Sequence, residues 1–432
     1  MTPRPTRCKR ARVARLMADV QPLRTLRYEP DVAGSLEDLI APPYDVIDAP
    51  MRAELAARSP HNVVELDLPD SYEKAAEKLA DWRKQRVLVQ EDEPALWALR
   101  QDYTAPDGST RTRTGFFARV RVEEYGPGRI RPHERTHPGP REDRLRLTRA
   151  TGANLSPIFS LYPDASGAAT ETLAQVTREQ PFAEVADHEG TNNVLWRVAD
   201  PDHIAALQGA LADAELLIAD GHHRYETARV YAEEVGGEGD HRYVLMLLVA
   251  LDDPGLLVFP THRLLTDLKD SAKQETLRAV VLRDFDVERL DSADDLEPPE
   301  GNGRVAFGYM DAHFKQPFRL TLKDQRIADD ALAGMPEPYR RLDTAVLEAL
   351  VLRGALEMSE DDISHLRGLD YSKSLGDAIE RVESGTADAG FFMRATPVEQ
   401  VREVAEAGES MPPKSTYFYP KVPTGLVFNP LR

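Results

Sequence analysis

Leu217-Ile218-Ala219-Asp220-Gly221-His222-His223-Arg224 is the stretch that decides the fold, because a strand, a turn and a helix start follow one another within it. Its apolar first half predicts a buried strand, Asp220-Gly221 predicts a turn, and a helix is predicted from about residue 222 to residue 234. The first turn of a helix has unpaired backbone N–H groups and a partial positive charge, and it therefore attracts phosphate. Gly221 lets a ligand approach the backbone. The stretch predicts an anion- or nucleotide-binding site.

The polar residues of this stretch have separate candidate roles. His223 and Arg224 are candidate phosphate-binding residues, since both add hydrogen-bond donors where an anion would lie. His222 is a candidate catalytic residue, because Glu226 four positions later is spaced to hold its imidazole and raise its pKa. Asp220 is a candidate general base and a candidate Mg²⁺ ligand. The alternative interpretation is an ordinary helix start, with Asp220 as the N-cap and both histidines in solvent.

Strand and helix patterns alternate on both sides of this stretch. Upstream, we predict a strand at 62–68, a helix at 72–86, two strands at 95–103 and 113–122 joined by a hairpin turn, and a helix at 142–150. Downstream, a buried strand is predicted at 243–251, and Asp252-Asp253-Pro254-Gly255 is the best internal boundary. Beyond it we predict strands at 305–309, 318–322 and 390–393 and helices at 275–282 and 344–356. The mixture predicts an α/β or α+β fold.

Composition excludes several classes of protein. The chain has 432 residues, which indicates two or three domains, and its only cysteine excludes a disulfide scaffold. No apolar run approaches the length of a membrane span, and a cytoplasmic location is the default expectation. The net charge of −19 disfavours nucleic-acid partners, because a phosphate backbone would be repelled. The sequence does not specify the oligomeric state.

The first 16 residues differ from the rest of the chain. They are rich in arginine and contain no acid, and they lack the apolar segment of a secretory signal. We expect either a disordered basic extension or a start assigned too early, with Met17 as the first residue.

A long polar loop precedes the predicted helix at 142–150. It contains the candidate phosphate-binding residues His133 and Arg135 and the alternative general base Glu134, and Arg144 in the predicted helix is a further candidate phosphate-binding residue. The alternative interpretation is a solvated loop with weak local ion pairs. His133-Glu134-Arg135-Thr136-His137 matches the pattern of zinc peptidases, but the prolines around it prevent the helix that this chemistry needs. No zinc is expected.

The segment Met411-Pro412-Pro413-Lys414-Ser415-Thr416-Tyr417-Phe418 is polar, aromatic and rich in proline. No glycine-rich loop precedes its Lys-Ser-Thr, so a Walker site is rejected. Lys414 or Ser415 is expected to reach back to the site, and Lys414 is the candidate phosphate-binding residue, since a lysine suits phosphate. The alternative is a tail that packs its aromatic rings on the core.

Several stretches resemble known families. DGHHR at 220–224 resembles the signature of the ParB/sulfiredoxin-like superfamily, which includes free-serine kinases, although the cysteine that sulfiredoxins need is absent. Nearly the whole chain is similar to the family called domain of unknown function 1015, through APPYDVI (41–47), HERT (133–136), EDRL (142–145), NLSPIF (154–159) and KSTYF (414–418). The resemblance implies a mixed-sheet, nucleotide-binding core at 17–252 with an inserted hairpin and polar loop. It is followed at 253–432 by a C-terminal α/β domain, whose tail is a candidate to return to the site.

Three functions remain open. The first is a phosphotransferase that uses a nucleoside tri- or diphosphate, or pyrophosphate, with Mg²⁺ on a small hydroxyl substrate. Serine or phosphoserine is the sharpest expectation and comes only from the resemblance to free-serine kinases. The second is a nucleotide-gated, ParB-like binding protein without metabolic catalysis, and the third is a phosphate-ester hydrolase, since phosphatases use similar phosphate-binding groups.

Overall fold

The computed structural model describes residues 18–106, 108–126, 130–134, 138–300 and 303–432. The expected basic extension at 1–16 lies outside them. Within the described residues, the larger sheet has nine strands. Eight follow one another in the order Ile130–Arg131, Leu216–Asp220, Ile158–Tyr162, Tyr243–Ala250, Thr110–Arg121, Leu96–Thr104, Asn192–Val198 and Ala183–Ala186, and Val20–Gln21 pairs with Thr110–Arg121. Two pairings are parallel and the others antiparallel, so the predicted α/β class with a mixed sheet is confirmed.

A second sheet is built from residues beyond 253. Over the described part of the chain it has six strands, in the order Phe285–Arg289, Phe318–Leu322, Ala306–Asp311, Ala389–Phe392, His262–Leu265 and Leu369–Ser372. Among the described residues, three strand pairs stand apart from these sheets, namely Leu26–Tyr28 with Leu88–Gln90, Leu257–Phe259 with Tyr417–Tyr419, and Ala153–Asn154 with Asn429–Pro430.

Helices cover both sheets. The α-helices of the described residues are Pro30–Ala33, Leu36–Leu39, Ala49–Arg58, Val64–Asp67, Tyr72–Lys84, Pro138–Thr151, Ala168–Val176, Pro201–Ala210, His222–Val235, Ser271–Asp284, Gln325–Ala331, Glu337–Arg340, Asp343–Leu347, Glu360–Ser364, Leu375–Glu383 and Val398–Glu406. The helix Asp343–Leu347 continues as a π-helix over Glu348–Ala355. None of the described helices combines the length and the apolar composition that crossing a membrane requires.

Most local predictions agree with these elements, and one is wrong. The helix predicted at 72–86 forms as Tyr72–Lys84 and buries Ala75, Leu79 and Trp82 as expected from their spacing. Residues 62–68 were expected to form a strand, but Val64–Asp67 is a helix. The Asn62 side chain accepts the Val64 N–H, a local capping contact that starts a helical turn rather than a ladder.

The last residues of the chain return to the larger sheet. The segment from Met411 to Arg432, which we call the tail, contributes Met411, Phe418, Val422, Leu426 and Val427 to the core on one face of that sheet. Isolated bridges join it to the first half of the chain at Glu134–Met411, Ala41–Thr424 and Leu26–Phe428. The tail therefore passes the end of the strand Leu216–Asp220, where Lys421 contacts Asp220.

Candidate functional site

A strand and a helix meet at the site with one residue between them. The site strand (Leu216–Asp220) ends at Asp220, and the site helix (His222–Val235) begins directly after Gly221. Gly221 has a φ of +95°, a conformation that residues with a Cβ rarely adopt. No side chain caps this helix start. Its first backbone N–H groups therefore keep the partial positive charge that favours anions.

The Arg224 side chain folds back over Gly221. A Cβ built on Gly221 would lie 2.9 Å from Nε of Arg224. The guanidinium, rather than open space, therefore lies against this glycine, and the expected approach of a ligand to the Gly221 backbone requires Arg224 to move. Nε itself is buried without a hydrogen-bond partner among the described residues.

One carboxylate is shared by two cations at this point. Oδ1 of Asp220 accepts a hydrogen bond from Nζ of Lys421 at 2.8 Å, and Oδ2 accepts one from Nη2 of Arg224 at 2.5 Å. The three side chains are largely buried, with exposed fractions of 18%, 13% and 10%. Burial alone would raise the pKa of Asp220, but Lys421 and Arg224 outweigh it and hold that pKa well below its usual range. One positive charge in this group of three has no counter-charge within the group.

Two buried histidines lie beside this cluster. The His133 N–H donates to Nε2 of His222 at 3.2 Å, and the two rings are 4.6 Å apart. Nδ1 of His133 donates to the Ile218 carbonyl at 2.6 Å, and Nε2 of His133 lies 2.8 Å from the Thr416 hydroxyl. Burial lowers the pKa of both imidazoles below the usual value. Both rings are therefore neutral near pH 7.

The expected effect of Glu226 on His222 is wrong. Glu226 pairs with Arg229 rather than holding the imidazole, and the pKa of His222 is lowered, not raised. The alternative interpretation of the helix start also fails in two details, because the N-cap is Gly221 and His222 is only 5% exposed. His223 is partly exposed, and its phosphate-binding role stays a prediction.

The tail supplies a second group of positive charges. Two ammonium groups lie close to the Tyr417 ring, with Nζ of Lys373 4.3 Å and Nζ of Lys421 4.2 Å from its centre. Lys373 directly follows Leu369–Ser372, an edge strand of the smaller sheet, and it also donates to the Tyr417 hydroxyl at 2.8 Å. The site therefore gathers cations from both sheets and from the tail.

Glu134 and the tail are in contact. Glu134 bridges Met411, and its Oε1 accepts the Lys414 backbone N–H at 3.4 Å. The Lys414 side chain is exposed, so its contribution to phosphate binding stays a prediction. Ser415 turns away from the site, since its hydroxyl donates to the Pro412 carbonyl at 2.7 Å and lies 3.0 Å from the Thr344 hydroxyl.

Arg144 belongs to a different, structural network. It is 6% exposed, donates to the carboxylates of Asp67 and Asp143, and covers the Tyr44 ring at 4.2 Å. These contacts occupy the guanidinium, so they give it a structural role besides the predicted one in phosphate binding. Arg135, the other arginine predicted from the polar loop, lies outside the described residues.

The described residues do not fit a protein-held Mg²⁺. Both oxygens of Asp220, the candidate ligand, face cations. No group of three or more His, Cys, Asp or Glu side chains in the described ranges is placed to hold a metal ion. We therefore assign no chemical step to a metal bound by these side chains.

Sequence reasoning missed the tail residues that contact the site. Lys421 pairs with Asp220 and Thr416 with His133, and both lie in the tail that the sequence singled out, yet only Lys414 and Ser415 were considered there. Nothing in the sequence ranks Lys421 above Lys414, because both lie at a similar, long separation from Asp220; it is Lys421 that makes the contact, across 201 positions. Lys373 gave no local signal at all.

Comparisons with known proteins identify relatives without a settled activity. The model of the family described as protein of unknown function (DUF1015) matches residues 20–345. The search of curated proteins found no match.

Several solved structures are similar to this chain at low identity. A conserved hypothetical protein from Pyrococcus furiosus is 18% identical, with 69% of this chain and 92% of that chain covered and a TM-score of 0.35. A mutant free serine kinase in complex with AMP is 16% identical, with 69% and 89% covered and a TM-score of 0.36. SbnI with a C-terminal truncation, from Staphylococcus aureus, is 11% identical, with 72% and 85% covered and a TM-score of 0.34. These similarities assign no function to this chain.

Proposed function

This chain belongs to the DUF1015 family, and we propose that it binds the phosphates of a nucleotide and transfers a phosphoryl group to a small hydroxyl substrate. Serine remains the sharpest candidate substrate. The observation that carries the proposal is the buried carboxylate of Asp220 between Lys421 and Arg224. A buried charge without a counter-charge is costly, so the surplus cation favours an anionic ligand.

The helix start strengthens the preference for phosphate. The site helix begins without a side-chain cap directly beside these cations, so backbone N–H groups and side-chain charges lie at the same place. Phosphoryl transfer is catalysed mainly by positioning and by stabilising negative charge. An arrangement of fixed cations at a helix terminus supplies both effects.

The proposal gives Asp220 and Glu134 different roles. Because Lys421 and Arg224 hold the pKa of Asp220 low, its carboxylate is a poor proton acceptor. Asp220 therefore positions the two cations. Glu134 is the proposed general base, since it is partly exposed and its carboxylate accepts a long hydrogen bond from the Lys414 N–H rather than pairing at close range with a cation among the described residues.

A transfer assay with matched variants tests the proposal. The full chain is incubated with ATP, ADP or pyrophosphate and L-serine, with and without Mg²⁺, and products are followed by phosphorus NMR. We expect Glu134→Gln to lose turnover by about 10²-fold or more and to keep nucleotide binding, as for loss of a general base. Glu77→Gln, on the exposed face of the helix Tyr72–Lys84, is the control and should match wild type.

The same assay separates the other candidate functions. Release of phosphate that does not depend on a hydroxyl substrate would identify a phosphate-ester hydrolase. Nucleotide binding without any turnover would identify a binding protein, and a salt-sensitive shift of DNA would add a nucleic-acid partner. Absence of binding by every phosphate compound would refute the proposal.

A further inference from the structure

A chain of hydrogen bonds runs from the site strand to a hydroxyl of the tail. A carbonyl can only accept, so Nδ1 of His133 carries the proton in its 2.6 Å hydrogen bond to Ile218. Nε2 of the neutral ring is then the acceptor for the Thr416 hydroxyl at 2.8 Å. A base held by a third group and bonded to a hydroxyl is the arrangement that activates nucleophiles.

The polypeptide fixes this base firmly. Pro132 has no N–H, so the strand Ile130–Arg131 cannot continue its ladder along the site strand. The His133 side chain takes the Ile218 carbonyl instead, and the His133 carbonyl accepts the Met411 N–H at 2.7 Å. His133 is 2% exposed. Its imidazole is therefore oriented by contacts on both sides and faces Thr416.

The charges around Thr416 favour an added phosphoryl group. Thr416 is partly exposed. It precedes Tyr417, and the ammonium groups of Lys373 and Lys421 both contact the Tyr417 ring. A phosphothreonine adds a charge of about −1.5 to −2 at neutral pH. Lys421 and Lys373, which lie at the ring of the next residue, would offset part of that charge, although the Glu189 carboxylate already acts on Lys373.

We infer that Thr416 is a phosphoryl acceptor in this site, with His133 as its general base. The inference rests on the proposed function. In the step, Oγ1 of Thr416 forms a bond to the γ-phosphorus of a nucleoside triphosphate, and the bond from that phosphorus to the β–γ bridging oxygen breaks. The nucleoside diphosphate leaves with that bonding pair, and the hydroxyl proton passes to Nε2 of His133. No other reactant is needed.

Phosphate mapping on the wild-type chain tests the inference without depending on the folding of a variant. The full chain is incubated with γ-labelled ATP, intact mass is measured, and the label is located by peptide mass spectrometry. We expect one phosphoryl group on Thr416. Thr416→Val should lose at least tenfold of the label, and Thr416→Ser should keep it. Ser415→Ala is the matched control, because the neighbouring hydroxyl points to Thr344, and its labelling should equal that of wild type.

The possible failures are distinguishable. Label on a different residue, or no label while the serine substrate is phosphorylated, overturns the role of Thr416 and leaves the proposed function intact. Loss of stability in Thr416→Val together with unlabelled wild type means that His133 only fastens the tail, which also overturns the inference. Absence of nucleotide binding overturns both proposals.

Discussion

Replacing Lys421 by methionine removes one of the two cations that share Asp220 and keeps most of the apolar length of the side chain. Nζ of Lys421 lies 2.8 Å from Oδ1 of Asp220, and both side chains are more than four-fifths buried. Removing one partner of a buried ion pair costs about 3–5 kcal/mol when the other charge is left alone. Here Arg224 keeps its hydrogen bond to Oδ2. We therefore expect a smaller loss of unfolding free energy, about 1.5–3 kcal/mol, which is typical of one charged hydrogen bond.

The same substitution neutralises the surplus charge of the site. With Lys421 gone, one carboxylate faces one guanidinium, and an incoming phosphate meets no uncompensated cation in that pair. Two unit charges about 4 Å apart interact by roughly 4 kcal/mol at an effective dielectric constant of about 20, which is an upper bound for the loss. We expect the affinity for pyrophosphate and ADP to fall at least about tenfold, or about 1.4 kcal/mol.

Urea unfolding followed by circular dichroism measures the first quantity, and titration calorimetry with pyrophosphate and ADP measures the second. Lys84→Met is the control, since Lys84 is exposed at the end of a helix distant in sequence from the site. Unchanged affinity in a folded Lys421→Met variant would refute the argument that the surplus cation makes the anion site.

Two further predictions concern the histidines and the glycine of the site. Burial lowers the pKa of both His133 and His222, so the unfolded chain binds protons below about pH 6.5 that the folded protein resists. The stability that the two neutral histidines contribute should therefore be fully present above that pH, and the unfolding free energy should fall by up to about 2 kcal/mol per histidine between pH 7 and 5. Urea unfolding at both pH values checks this, and an unchanged midpoint contradicts it. Gly221→Ala should cost about 1–3 kcal/mol because of its φ of +95°, and should also weaken pyrophosphate binding because the new Cβ displaces Arg224. Gly34→Ala has the same φ with open space around it, so equal effects of the two substitutions on binding would rule out that displacement.

The failed strand at 62–68 shows where periodicity stops being informative. The alternation of apolar and acidic residues there predicts one buried and one exposed face. In the structure Val63, Val64 and Leu66 pack into a core cluster, and Asp67 is buried beside them with hydrogen bonds from Arg144 and Ser156 far along the chain. Burying an aspartate costs too much free energy unless such partners are present, and a single sequence does not identify them.

The sequence by itself determined the local events at the site. Leu217 to Arg224 specified a buried strand, a turn that needs glycine and a helix start, since each depends on side chains and φ preferences within a few residues. Only the tertiary structure decided how the charges are distributed. Lys421 reaches Asp220 from 201 positions away, and Thr416 reaches His133 from 283. The low pKa of Asp220 and the neutral state of His133 follow from those contacts and from burial, which exist only once the tail lies across the sheet.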